Sequence, residues 1–384
     1  MKVVIIIPTY NERKNTEDMI QALAGVIPAV KDHDVHVLYV DDSSPDGTAE
    51  VVKSAIKKYS WLHLLGGSQK QGLGVAYARG MTYAMKEMSA DYLMEFDADF
   101  QHPPQDIPRL IAEINRGYDY IIASRYVPGG SVPANWTLDR KLVSSVGNLI
   151  ARVGLLIPRV HDCTGGFKLS RVKGFMDGFD FSTLLSKKFA YKIHLLAYMV
   201  VTKHAKVKEV PFSFANRNAG DSKYSTNEIK ESLRVIFMFQ YQNPKLRKFF
   251  KFGVVGGFGF IINFLGLRFF NGAYKGLSLP IGVINFLANA TASEISIISN
   301  FIFNNLWTFK SEKITRLTEI LSKFVTFNVS SVVGGILVPS AIIGLGTQIF
   351  GDQYRYLFLV LAVFGFTVPY NWFVYNKFIW KRKK

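Results

Sequence analysis

One run of the chain, Asp97-Ala98-Asp99-Phe100-Gln101-His102-Pro103-Pro104, carries its densest set of groups able to do chemistry. Two carboxylates one residue apart, with an amide oxygen two positions on, are hard oxygen donors of the kind that hold Mg²⁺ or Mn²⁺. Magnesium takes few protein ligands and shares the rest of its shell with substrate phosphates. A cation held in this way offsets the charge that gathers on a departing diphosphate. An Asp-x-Asp alone also occurs in solvated turns, so context has to decide.

Two more polar clusters accompany it, Pro8-Thr9-Tyr10-Asn11-Glu12-Arg13 and Val40-Asp41-Asp42-Ser43-Ser44-Pro45-Asp46-Gly47-Thr48. Asp46-Gly47 signals a turn, and Asp or Ser can cap a following helix. Capping does not account for carboxylates grouped where a strand ends, a place suited to base and ribose groups.

The elements that must position these clusters are legible up to about residue 240. Apolar runs at 3–7, 35–40, 92–96 and 120–123 read as buried parallel strands. Helical patterns lie between them at 16–26, 48–59, 73–86 and 107–116. Strand alternating with helix implies an α/β domain with a mainly parallel sheet. Ligands of such sheets sit beyond the carboxyl ends of the strands, and all three clusters follow those ends. The first apolar run stops at Pro8 with no small-residue cleavage pattern, so it reads as a strand rather than a signal peptide. The single cysteine, Cys163, excludes an intramolecular disulfide and a cysteine-based zinc cluster.

After residue 250 the texture changes. Four long apolar stretches predict membrane spans near 252–272, 283–306, 325–348 and 356–377, each near the roughly 20 residues a spanning helix needs. The net charge of +17 is placed accordingly. From residue 245 onward there are 16 Lys/Arg against 4 Asp/Glu, leaving 30 and 25 for the rest. The basic groups cluster at membrane edges, which argues for a lipid bilayer as partner and against nucleic acid. Lys245, Arg247, Lys248 and Lys251 precede the first span; Lys310, Lys313, Arg316 and Lys323 separate the second from the third; Lys377 and Lys381 to Lys384 end the chain. By the positive-inside rule, both termini and the first domain are expected in the cytoplasm. Arg268 can snorkel. Glu294, inside the second span, reads equally as functional or structural. Phe237, Phe239, Tyr241, Phe249 and Phe250 read either as an interfacial aromatic belt where the domains join or as ordinary packing.

The three clusters resemble those of family 2 glycosyltransferases with a GT-A fold. Further segments narrow the resemblance to the dolichyl-phosphate mannose synthase group: Lys70-Gln71-Gly72-Leu73-Gly74 leading to Ala76-Tyr77-Ala78-Arg79-Gly80, then Ala123 to Gly130, Arg140 to Ser144, Asp162 to Phe167, and Arg217 to Lys223. The similarity runs in one order over about residues 2–240. Lys251 to Gly257, Asn300-Phe301, Asn304 and Trp307-Thr308-Phe309 are similar to GtrA-like four-helix modules. The expected organisation is a GT-A, Rossmann-like domain over 1–228, juxtamembrane helices over 229–250, and a GtrA-like transmembrane domain over 251–384.

The resemblance implies inverting transfer of mannose from GDP-mannose to dolichyl or another polyprenyl phosphate, with Mg²⁺ or Mn²⁺ as cofactor. A UDP-glucose-dependent synthase would use the same clusters, and a lipid-linked sugar translocator is the rival from another class. A processive polysaccharide synthase would carry Gln-x-x-Arg-Trp, which the chain lacks. Carried over by position, Pro8, Tyr10, Glu12, Val40 and Asp42 would hold the nucleoside. Asp97, Ala98, Asp99 and Gln101 would line the diphosphate, with Asp97, Asp99 and Gln101 holding the metal. Arg217 and Lys223 would reach the diphosphate. Arg125, Arg140 and Ser144 would take the acceptor phosphate, and Asp99, Arg125 and Arg217 would be the catalytic set. A guanidinium fork matches phosphate oxygens; the alternative for each arginine is a surface ion pair. The chain departs from the group where it reads Ala190-Tyr191 and then Leu196 in place of a carboxylate, and at Gly166 and Asp221.

Overall fold

The computed structural model describes residues 1–215 and 226–381. The chain forms two compact units, Met1–Gln240 and Tyr241–Lys384.

The first unit is built on seven strands: β1 (Lys2–Thr9), β2 (Asp34–Asp41), β3 (Leu62–Gly66), β4 (Tyr92–Glu95), β5 (Tyr120–Ser124), β6 (Lys168–Arg171) and β7 (Val207–Pro211). They form one sheet in the order β3-β2-β1-β4-β6-β5-β7. Every neighbouring pair is parallel except those of β6, which runs antiparallel to both β4 and β5. Its helices are α1 (Arg13–Val26), α2 (Thr48–Ile56), α3 (Leu73–Lys86), α4 (Ile107–Ile111), α5 (Leu138–Gly154), α6 (Tyr191–Ala197) and α7 (Thr226–Gln242).

Side chains alternate across a strand, and β1 uses both sets. Val3, Ile5 and Ile7 join one core with Met19 and Leu23 of α1 and Val52 of α2. Val4 and Ile6 join the other with Tyr77 and Met81 of α3 and Ile193 and Leu196 of α6. A β-branched run buried on both faces is what a central parallel strand requires, and truncating Ile6 to Ala would cost on the order of 2–5 kcal/mol. Helix α3 lies directly on the sheet at Gly80, where a Cβ would come within 2.7 Å of Ile6 and 2.8 Å of Val40.

The strands and helices expected from periodicity are all present, with α4 extended as a 3-10 turn through Arg116. Strands β3, β6 and β7 and helices α5 and α6 were not anticipated. β6 reads Lys-Leu-Ser-Arg, and its Lys168 is wholly buried opposite Glu95 of β4. A strand that buries a charge does not show the apolar signature of an interior strand. Within the stretch expected as juxtamembrane helices, α7 puts Val235 and Ile236 into the first unit's core. Gly154 of α5 accommodates Ile236, and Gln240 Nε2 donates to the Gly154 carbonyl.

The second unit holds four helices long and apolar enough to cross a membrane: Pro244–Tyr274, Ile281–Thr308, Leu317–Phe350 and Asp352–Ile379. Gly259 of the first lets Asn300 of the second approach, and Ser296 Oγ donates to the Gly259 carbonyl at 2.7 Å. Small and polar contacts of this type hold helices together where apolar burial against lipid gains little. An aromatic cluster, including Phe252, Phe301, Phe309, Phe327, Tyr375 and Trp380, packs one end. Asn305 ties it to the following loop: its Oδ1 accepts from Ile314 N at 2.8 Å and from Trp380 Nε1 at 3.0 Å. Glu294 is met within the unit by Asn328, whose Nδ2 donates to both carboxylate oxygens, at 2.8 and 3.1 Å. Of the expected aromatic belt, Phe237, Phe249 and Phe250 are exposed, and Phe239 is packed against the first unit's core. Phe239 packs edge-on to His194 in the first unit, and Phe249 packs on Trp372 in the second.

Candidate active site

The carboxyl ends of β1, β2 and β4 are adjacent because the three strands are neighbours. The loops after β1 and β2 are stitched together. Asp41 accepts from Thr9 Oγ1 at 3.2 Å and Ser44 N at 2.9 Å, Asn11 N donates to Ser44 Oγ, and Glu12 N donates to Thr48 Oγ1. Asn11 and Ser43 both adopt positive φ to make this junction. Asp41 is therefore committed to the scaffold, while Asp42 faces Arg79 of α3, whose Nη2 lies 2.6 Å from its Oδ1. Glu12 accepts from Asn15 Nδ2 at 2.7 Å, and the Lys70 ammonium stands 4.1 Å from the Tyr10 ring centroid. Pro8 is half-buried beside this junction. Val40 is fully buried, its side chain against the Gly80 position.

At the end of β4 the chain turns sharply through Phe100, also at positive φ, and Gln101 N closes the turn on Asp99 Oδ1 at 3.1 Å. Ala98 and Asp99 are buried. Asp97 is gripped from several sides. Its Oδ1 accepts from Tyr77 Oη at 3.0 Å, and its Oδ2 lies 3.6 Å from Lys192 Nζ and 3.7 Å from His102 Nε2. The Asp97 amide donates to His102 Nδ1 at 3.0 Å, so the neutral imidazole carries its proton on Nε2, facing the carboxylate. Burial pushes the His102 pKa down to about 4, more than the Asp97 charge raises it. Behind this lies a buried ionic layer. Tyr191 Oη donates to Glu95 Oε2 at 2.6 Å, and Lys168 stands opposite Glu95 across β4 and β6. Burial raises the Glu95 pKa and lowers that of Lys168, each opposed chiefly by the charge of the other.

Among the described residues no group of three or more His, Cys, Asp and Glu gathers for a metal. The set at hand is two carboxylates and an amide, all oxygen donors. That composition fits a hard cation which completes its shell with phosphate oxygens and water.

Arg125, at the end of β5, is buried in a fork with Asp162: Nε donates to Oδ2 at 2.8 Å and Nη2 to Oδ1 at 2.7 Å, with Nη2 also on Thr164 Oγ1 at 2.9 Å. Burial raises the Asp162 pKa, yet the Arg125 charge and hydrogen bonds together hold it below the usual carboxylate range. Ser144 of α5 shares a hydrogen bond of 2.6 Å with Tyr126 Oη. Arg140, one turn earlier on α5, places its guanidinium 4.1 Å over Trp136. Trp136 packs edge-on against Phe214, and Phe214 carries Arg125 on one side and His102 on another. One aromatic chain thus links the carboxylate loop to both arginines. Arg217, Lys223 and Asp221 lie outside the described residues.

Two site features were not read from the sequence. Lys192 is one, since nothing in its neighbourhood marks a lysine as buried. The other is the outer face of α5. Leu138, Leu142 and Val153 are 84%, 65% and 65% exposed, with Val146 and Leu149 between them on the same helical face. The spacing of 138, 142, 146, 149 and 153 is that of an amphipathic helix, and this was the available signal.

With this geometry in view, residues 4–179 match Glycosyl transferase family 2 and residues 237–380 match the GtrA/DPMS transmembrane domain. The chain belongs to the family 2 glycosyltransferases, in the group that joins the catalytic domain to a GtrA/DPMS membrane domain; it is a glycosyltransferase and an integral membrane protein. It is 33% identical over 371 residues to the dolichol-phosphate mannosyltransferase of Pyrococcus furiosus, covering 96% of this chain and 97% of that one. It is 35% identical over 233 residues to the polyprenol monophosphomannose synthase of Mycolicibacterium smegmatis, covering 60% and 84%. It is 34% identical over 233 residues to the undecaprenyl-phosphate mannosyltransferase of Micrococcus luteus, covering 61% and 91%.

Proposed function

We propose that the enzyme transfers mannose from GDP-mannose to dolichyl phosphate or a related polyprenyl phosphate, with inversion at the anomeric carbon. The observation that carries this reading is the end-to-end similarity to the Pyrococcus protein, 33% over 371 residues, which spans both units.

The reacting nucleophile is a phosphate oxygen. A phosphate monoester has its second pKa near about 6 and is largely dianionic at neutral pH, so no protein base is required. The protein's task is to bring two anionic groups together, and positioning with fixed charge suits it. Asp97, Asp99 and Gln101 would hold Mg²⁺ or Mn²⁺, which when bound neutralises the leaving diphosphate. Pro8, Tyr10, Glu12, Val40 and Asp42, at the ends of β1 and β2, are assigned to the nucleoside by the family resemblance; Val40's side chain packs in the core, which leaves its backbone for that role. Arg217 and Lys223 are assigned to the diphosphate by the family resemblance.

Arg140 and Ser144 are the groups offered to the acceptor phosphate. Arg125 is held rigid by Asp162, and its Nη1, which makes no hydrogen bond to a described residue, is the part left to meet a phosphate. The exposed apolar face of α5 supports an acceptor that arrives from lipid, because the same helix carries Arg140 and Ser144. The basic ends of the spans support a cytoplasmic side for the termini and the catalytic domain.

The test is a donor screen on the purified full chain in detergent, with Mn²⁺ or Mg²⁺ and a short polyprenyl phosphate, scored by mass of the lipid product. Mannosyl phospholipid from GDP-mannose is expected. Product from UDP-glucose instead would assign the donor differently; no lipid product from any nucleotide-sugar would defeat the reading.

A further inference from the structure

We propose that Lys192 is a positioning residue that makes divalent-cation binding at Asp97 and Asp99 conditional on the nucleoside diphosphate. The inference rests on the assignment of those carboxylates as cation ligands.

Lys192 is the second residue of α6. Its side chain is buried, its Nζ lies 3.6 Å from Asp97 Oδ2, and the ammonium stands 4.8 Å from the Phe189 ring centroid. Gly166 makes the space: a Cβ there would collide with Lys192 Nζ and would lie 3.3 Å from Asp97 Oδ2. The deeper acid draws chiefly on other groups: Glu95 accepts from Tyr191, and the Lys168 charge opposite it across the sheet acts on it more strongly than that of Lys192. Leu196, one turn on along α6, is wholly buried in the apolar core and offers no counter-charge. Lys192 is thus a fixed positive charge directed at the carboxylate that a dication would use.

Lys192 itself is buried, so its charge is less screened than one at the surface. A dication arriving alone meets an acid already partly neutralised and a like charge beside it. A dication arriving with a diphosphate meets the same lysine, but the added negative charge is attracted by both. The lysine therefore opposes the bare cation and favours the cation–diphosphate complex. Linkage is reciprocal, so departure of the nucleoside diphosphate product weakens the hold on the cation by the same factor. Cation and diphosphate would load and leave together.

The test is Mn²⁺ binding to the full chain in detergent, read from the free Mn²⁺ signal in electron paramagnetic resonance, alone and with GDP or UDP. Lys192→Met should bind Mn²⁺ alone roughly tenfold tighter than wild type, with the enhancement by nucleotide reduced by a similar factor. Lys192→Gln should move in the same direction, and thermal unfolding should show both variants folded. Adding Asp97→Asn to Lys192→Met should abolish the gain. Mn²⁺ affinity and nucleotide enhancement unchanged in both variants would overturn the proposal while leaving the cation site standing. Wild-type binding indifferent to Asp97→Asn and Asp99→Asn would remove the cation site itself, and this inference with it.

Discussion

Arg125 and Asp162 meet in a buried, two-pronged pair, with contacts of 2.8 and 2.7 Å, and the Arg125 amide adds a third bond to the same carboxylate at 3.0 Å. Asp162 also accepts from Gly165 N, so the pair shapes the loop that leads to β6. Removing one partner strands a buried charge, at a cost of about 3–5 kcal/mol. Asp162→Ala should therefore lower the melting temperature of the full chain in detergent by roughly 10 °C. A shift of a degree or less would mean that the fork does not brace the site.

Asp99→Ala removes a proposed cation ligand and the acceptor of a turn hydrogen bond from Gln101 N. The local cost is about 1 kcal/mol, too little to unfold the domain. Turnover with nucleotide-sugar and polyprenyl phosphate should vanish while the melting temperature stays near wild type. Normal turnover in this variant would refute the assignment.

The outer face of α5 supplies a test of acceptor delivery. Leu142→Asn and Val153→Asn alter exposed side chains and should change stability by about 0.5 kcal/mol or less. If that face rests in lipid, both should raise KM for a long-chain polyprenyl phosphate embedded in vesicles and leave that for a short, soluble analogue unchanged. Equal effects on both acceptors would argue against a lipid contact.

His194 on α6 predicts a pH dependence. Its Nδ1 accepts from Leu185 N at 3.2 Å, its ring packs edge-on to Phe179, and burial pushes its pKa down to about 4. The unfolded chain takes up this proton near pH 6.5. Stability is thus unaffected above that pH and falls as the pH drops from 6.5 toward 4. His194→Gln keeps an acceptor but cannot titrate. From pH 7 to pH 5 the wild type should lose about 2 kcal/mol relative to the variant. Parallel unfolding curves at the two pH values would show that the ring is not buried neutral.

Some of this molecule was decided by local pattern. Buried parallel strands announce themselves as short β-branched runs, so β1, β2, β4 and β5 were legible, and with them the strand tips that carry Asp42, Asp97 and Asp99. Bilayer thickness imposes a length that no loop mimics, so all four spans could be counted from hydropathy alone. The family resemblance nominated Arg125 and Arg140, and the fit of a guanidinium to phosphate oxygens agrees with it.

What only the tertiary structure decided is how the charges are partnered. Burial of a lysine depends on neighbours distant in sequence. Lys168 is interior because Glu95 faces it across the sheet, and Lys192 because Gly166 leaves room beside Asp97. The antiparallel β6 was hidden for the same reason, its charged ends, Lys168 and Arg171, erasing the apolar signature. Arg125 is likewise a buried brace on Asp162 as well as a candidate for phosphate, a double role that no spacing reveals. Local sequence reports the cost of exposing an apolar group, whereas the cost of burying a charge is met by partners that only folding brings near.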